Sequence, residues 1–317
     1  MDPLTHTLTG LMISRTGLGR LHARAPLALM LAANAPDIDG LSILGGAESY
    51  VHYHRGLPHS IVLLPLIALL PVLLLCAITR SFTGWWKLYI GCLAGVASHL
   101  LLDWTNSYGV RFLVPFSSEW LHLDLNTLVD LWILAVLLIG WLMIYIVRMV
   151  NSEIGAKPGS GRGLAIFALL FLVAYDYGKF LLHQRAIAVL DSRIYDGSPP
   201  SRVAAFPTGS NPFAWRGWVE TKDAFKQYPI NLTSEFDPGS GTAYYKPDAA
   251  DAIAAARSTP AFQVFLGFNQ YPRWSFTPVP EPEGGKRVEL RDLRFSVFRA
   301  IAILDRSNRV QRAWMEF

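Results

Sequence analysis

The stretch that most constrains this chain is residues 91–109, GCLAGVASHLLLDWTNSYG, an apolar run that carries His99 and Asp103. On a helix, side chains four residues apart stack on one face, one turn above the other. Gly91 and Gly95 precede them at the same interval, so small residues and two ligand-type residues share one stripe. An ionisable group at membrane depth is costly unless it finds a partner, so it turns inward and marks function. Small residues at this spacing let another helix approach closely. The stripe therefore faces protein, and the partners of His99 and Asp103 must come from elsewhere in the chain.

Composition supports a bilayer setting. Of the 317 residues 52% are hydrophobic and only 16% charged, and the mean hydropathy is +0.29, too apolar for an ordinary soluble domain. Four runs, residues 60–79, 85–103, 128–147 and 163–182, each approach the ~20 residues needed to cross the hydrocarbon core. The opening MDPLTHTLTGLMISRTG lacks a basic n-region and a small-residue cleavage site, so it reads as a retained, re-entrant or buried helix and not a removable signal. Asp2 as N-cap and Pro3 at N1 start it. Residues 26–43 form a second apolar stretch, interrupted by Asn34, Pro36, Asp37 and Asp39, which reads as a helix running into a buried loop. Cys76 and Cys92 both fall inside expected spans and imply neither a disulfide framework nor a thiolate metal site. The net charge of +4 is unclustered, and no motif points to nucleic acid.

The charges speak instead to orientation. The loops at 80–87 and 148–162 hold Arg80, Lys87, Arg148, Lys157 and Arg162 against one acid, Glu153. The positive-inside rule makes that face cytoplasmic. The N-terminal region, the loop at 104–126 and everything after His183 then lie on the extracytoplasmic face, with Arg15, Arg20, Arg24 and Arg55 counting against the assignment.

Ligand-type residues gather at that same face. His6 lies on the first helix; Asp37 and Asp39 lie in NAPDIDG, where Pro36 and Gly40 force a turn; His54 and His59 flank the Gly-Leu-Pro bend of HYHRGLPHS; His99 and Asp103 complete the set. Threading the spans up and down brings His59, Asp103, Asp124, Asp130 and Asp176 to one side. Asp130 has a second reading as the cap of its span, Asp176 as a partner of Lys179, and His22, His52 and His183 read as surface residues. Imidazoles and carboxylates without thiolates fit Zn, with Mn, Fe or Mg as further options. So many ligands imply one or two ions activating a water. Asp39 and Arg55 are the expected catalytic residues, Arg55 by steering an anion, and Asn34 is placed to orient a ligand or the water.

At these residues the sequence resembles the YdjM-type family of bacterial inner-membrane metal-dependent hydrolases. The matching blocks are THTLTG around His6, PDID at 36–39, HRGLPHS at 54–60 and SHLLLDWTNSYGVRFLVP at 98–115, covering about the first 130 residues. The resemblance implies a hydrolase of the bacterial inner membrane. HxxxD on a helix is also similar to zinc-dependent phospholipase C and related all-helical nucleases, an analogy toward lipid or phosphoester substrates.

After residue 190 long apolar runs give way to Pro, Gly and alternating patterns. The Pro-rich segment 198–215 reads as a linker. Residues 215–221, 262–268, 274–279, 286–292, 296–304 and 309–317 read as strands, 281–285 and 305–308 as hairpin turns, and Asp248 as the cap of a short helix. The expected architecture is an integral membrane protein. An all-α core over residues 1–190, with about four transmembrane helices plus re-entrant N-terminal ones, carries the metal site. A soluble α+β domain, mostly antiparallel β, follows over 191–317. The expected activity is metal-dependent hydrolysis at the membrane boundary, with membrane lipids as neighbours and a lipid-linked substrate. The rivals are a transporter or ion-binding protein, and a structural or regulatory protein with a stapling metal.

Overall fold

The computed structural model describes every residue except 158 and 296. Helix α1 (Pro3–Arg15) starts as its sequence dictates, with the Asp2 carboxylate accepting from the Leu4 and Thr5 amides and Pro3 in the first turn. A turn through Leu18–Arg20 returns the chain as α2 (Ala25–Ala32). The two helices touch closely because Gly10 faces the Leu29 carbonyl: a Cβ at Gly10 would lie 2.6 Å from that oxygen. Pro36 lacks an amide hydrogen and disfavours α geometry before it, and the chain continues as a 3-10 segment, Ala35–Gly45, then α3 (Gly46–Tyr53). The break bends the pair by 42°.

The bundle is completed by α4 (Leu64–Ile67), α5 (Leu69–Thr79), α6 (Trp85–Thr105), α7 (Leu131–Glu153) and α8 (Arg162–Asp191). Among the described residues α6, α7 and α8 are long and apolar enough to cross a membrane, and the bent pair from α2 to α3 gives a fourth candidate. The run at 60–79 differs from expectation. It divides into α4 and α5, which together span only Leu64–Thr79, short of the ~20 residues a crossing needs.

The N-terminal arginines also sit at the opposite end from that expected. Arg15 shares a crevice with Arg148 and Tyr145, and His22 packs on Gly84 beside Lys87. Thus the turn holding Arg15, Arg20 and Arg24 joins the basic end of the bundle, because α1 runs down from the site and α2 climbs back to it.

Beyond α8 come two four-stranded antiparallel meanders. The first is β1 (Arg202–Pro207), β2 (Ala214–Glu220), β3 (Ala224–Asn231) and β4 (Thr242–Tyr245); the second is β5 (Pro272–Val279), β6 (Gly285–Asp292), β7 (Arg299–Leu304) and β8 (Val310–Glu316). Between them lie α9 (Ala250–Arg257) and α10 (Pro260–Phe268). Three corrections follow. Residues 262–268 are helical, with Phe262, Phe265 and Phe268 buried at helical spacing. The expected linker contains β1. Ala249, not Asp248, occupies the cap position of α9, without a side-chain bond. Ser296, the expected start of a strand, lies outside the described residues, and that strand is β7. Both sheets rest on the bundle: α8 packs on β1 and β2, while α10 and β8 pack on α3. One apolar core joins Val51, Tyr108 and Trp120 to Phe262, Phe265, Phe268 and Val288.

Candidate metal centre

His99 sits on α6, and its Nδ1 lies 2.7 Å from the Ala33 carbonyl. That carbonyl is available because α2 ends there, and the last carbonyls of a helix have no partner within it. His59 sits in a 3-10 turn, Leu57–His59, with Nδ1 3.0 Å from Asp39 Oδ2. A ring nitrogen bonded to a carbonyl or carboxylate carries the proton. Both imidazoles therefore turn unprotonated Nε2 atoms inward, and these face each other at 3.1 Å. Two lone pairs at that distance repel unless a cation lies between them.

Two carboxylates complete the figure. Asp37 Oδ1 lies 3.4 Å from His59 Nε2 and 3.6 Å from His99 Nε2; Asp103 Oδ2 lies 3.6 and 3.5 Å from the same atoms. Ligands about 2.0–2.1 Å from a tetrahedral ion are separated by about 3.3–3.4 Å, so the spacing is that of donors gathered around one cation. All four ligand atoms lie within 4.8 Å of one another. Asp103 Oδ2 is buried without a hydrogen-bond partner, although Arg55 Nη2 lies 3.0 Å away as an ion pair. The donors present fit a divalent metal. Asp37, Asp39 and His54 form a second group within the same limit. Asp37 thus belongs to both groups.

The remaining expected residues surround these. Asp39 bonds His54 Nδ1 at 2.8 Å as well as His59, and so holds two rings in place. Burial pushes the His54 imidazole below its ordinary pKa, partly countered by Asp39, which keeps it neutral as a ligand must be. The His6 ring stacks on His99 at 3.9 Å, with Nε2 3.4 Å from Asp103 Oδ1. The Met1 amino group pairs with that same oxygen. Arg55 is not open to solvent. Its backbone is left-handed, with φ 55°, and its guanidinium is held by Asp103, by Asn106 Oδ1 at 3.1 Å and by the Gly109 carbonyl at 2.9 Å. Asn34 donates to Thr7 and to the Met30 carbonyl.

Asp124, Asp130 and Asp176 gather at the same end of the bundle but in a separate network. Asp130 caps α7 and accepts from Tyr175, Asp124 pairs with His122 at 2.9 Å, and Asp176 accepts from Asn126 at 2.7 Å. Among the described residues no ion pair joins Asp176 to Lys179, whose ammonium lies 4.6 Å from the Trp215 ring centre. His183, expected at the surface, is half-buried against the Ala205 carbonyl, because α8 continues into the first sheet. The residue that sequence reasoning missed is Asn106. It donates to Asp103 Oδ1 and accepts from Arg55, Tyr108 and Gly109, and its place three residues after Asp103 was the available signal.

A relative from Bacillus subtilis (strain 168), described as uncharacterized protein YfhP, is 25% identical over 321 residues, covering 92% of this chain and 86% of its own length. No solved structure matches. A family model described as YdjM inner membrane protein matches residues 1–186. That stretch is more than half of the chain and contains every residue of the centre, so the chain belongs to the YdjM inner membrane protein family.

Proposed function

We propose that this protein is a membrane-bound metal-dependent hydrolase acting on an ester or phosphoester. The observation that carries the reading is the pair of anchored imidazoles, His59 and His99, whose free nitrogens face each other at 3.1 Å between Asp37 and Asp103. Asp37, His59, His99 and Asp103 would hold a divalent ion, zinc foremost, which would supply Lewis acidity and lower the pKa of water toward neutrality.

The chain's own residues do the rest. Asp39 is a positioning residue that fixes the tautomers of His54 and His59, as outer carboxylates do for ligating imidazoles. Arg55, held by Asp103, Asn106 and the Gly109 carbonyl, offsets the buried charge of Asp103. Asp37 is the ligand that reaches an opening: its side chain is 26% exposed, whereas those of His59 and His99 are 0% exposed. A purely stapling metal has a closed shell; the exposure of Asp37 favours chemistry. Sidedness follows from charge. With Arg15, Arg20 and Arg24 at the same end as Arg80, Lys87 and Arg148, the basic end is cytoplasmic under the positive-inside rule. The centre and the two sheets then face the extracytoplasmic side.

The test is hydrolysis of bis(4-nitrophenyl) phosphate and of its long-chain counterpart, hexadecyl 4-nitrophenyl phosphate, by the purified full chain in nanodiscs, before and after chelation. Turnover that disappears with chelator, returns with added zinc and is absent from His99→Ala supports the reading. Turnover indifferent to chelation, or none under any loading, overturns it.

A further inference from the structure

The centre is covered from the aqueous side. Tyr50 stacks on His54 at 4.5 Å between ring centres, Phe317 of the second sheet's end meets Tyr50 at 5.6 Å, and Tyr108 meets His54 at 5.6 Å. The apolar core shared by α3, Tyr108, Trp120 and α10 seals that roof.

Sideways, the centre is open. A groove of about 480 Å3 runs between the 3-10 segment and α5, with Leu31, Ile38, Leu41, Leu70, Pro71 and Leu74 as its apolar walls. Its polar lining side chains are Asn34 and Asp37, and Asp37 is the exposed member of the ligand set. The volume falls within the range of sites that hold a small organic molecule. The walls belong to the bent candidate span and to α5, and Ile38, Leu41, Leu70 and Leu74 are 40–65% exposed. Side chains this apolar and this exposed face lipid in a membrane protein.

We propose that the substrate is a long-chain amphiphile that reaches the metal centre laterally from the bilayer, its chain lying between the 3-10 segment and α5 and its ester or phosphoester head meeting Asp37. The head-group chemistry rests on the hydrolase reading; the chain rests on the groove. A soluble substrate would need an aqueous mouth at the ligands, where the aromatic roof lies. An amphiphile needs what is present: an apolar channel that ends at the exposed member of the ligand set. Asn34 is held by Thr7 and the Met30 carbonyl with its Oδ1 buried, which leaves Asp37 as the exposed polar end of the groove.

The experiment uses hexadecyl phosphate bearing a photoreactive diazirine in its chain, added to the full-length, zinc-loaded protein in phosphatidylcholine nanodiscs, with adducts mapped by peptide mass spectrometry. Peptides containing Ile38, Leu41, Leu70 and Leu74 should be labelled about tenfold more than the lipid-facing peptides of α7, a difference of about 1.4 kcal/mol in occupancy. Unlabelled hexadecyl phosphate should suppress that signal and inorganic phosphate should not. Leu74→Trp, which fills the groove, should abolish the enrichment while metal content stays at the wild-type level. Labelling spread evenly over α5, α7 and α8, or suppressed equally by inorganic phosphate, overturns the proposal. Groove labelling without turnover of hexadecyl 4-nitrophenyl phosphate retains the chain site and removes the hydrolase; turnover without groove labelling does the reverse.

Discussion

Asp39 shows how a residue reads differently in sequence and in space. PDID places two carboxylates in alternate positions, which suggests that both grip one ion. In the fold Asp37 points toward the free nitrogens of His59 and His99, while Asp39 turns to the far side of His54 and His59. Asp39→Asn should therefore weaken metal binding about 10–100-fold without abolishing it, measured by competition with a chromogenic chelator. Asp37→Asn should remove binding from both ligand groups at once. Equal losses for the two variants would contradict the division of roles. The gathering of Asp37, His59, His99 and Asp103 was legible because imidazole and carboxylate pairs at short spacings are rare inside apolar runs. The Ala33 carbonyl that aims His99 was not, since a backbone group carries no sequence signal.

At the scale of elements, the centre depends on how closely α2 approaches α1 and α6. Gly95 makes the second approach possible: a Cβ there would lie 2.8 Å from Ala32 Cβ and 2.9 Å from the Leu29 carbonyl. Gly95→Leu should push α2 away, move Ala33 from His99 and lower metal occupancy although no ligand is changed, with overpacking costing about 1–3 kcal/mol of stability. Unchanged metal content in a folded Gly95→Leu would show that the α2 contact does not position His99. The small-residue stripe was visible in the sequence because its four-residue interval continues into His99 and Asp103. Other elements were hidden. PAFQVFLGF at 260–268 is short, apolar and aromatic, where strand and helix cannot be told apart by periodicity; its third-position phenylalanines decide for helix only once α3 and β8 are there to receive them. The first sheet was obscured by Pro207 and Pro229. Pro207 ends β1, and Pro229 falls beyond the four residues of β3 that pair with β4, where β3 is an edge and proline is tolerated.

For the whole molecule, the membrane core and the two sheets meet through a small number of specific ties. Arg294 makes a buried ion pair with Asp292 at 2.8 Å and donates to the Ser107 carbonyl at 3.1 Å, just after the end of α6. Trp120 donates to the Gly267 carbonyl at 2.9 Å. Arg294→Ala leaves the Asp292 charge buried and unpaired, a change of about 3–5 kcal/mol, and should free the second sheet to open, seen as faster proteolysis of residues after 270. A protease pattern matching wild type would deny the tie its role. The overall division into an apolar helical part and a Pro- and Gly-rich remainder was readable from composition, whereas the seating of the sheets over the centre arises from long-range packing that no local pattern encodes.

One metal centre built from PDID, HRGLPHS and HLLLD underlies the proposed chemistry and the route to it. Its most direct test is elemental analysis of the detergent-purified full chain beside His59→Ala and His99→Ala. The account predicts about one to two divalent ions per wild-type chain, with zinc foremost, and their loss from both variants while helical content is retained. A wild type that stays metal-free even when purified with added zinc or manganese, or variants that keep the full metal content, would contradict it.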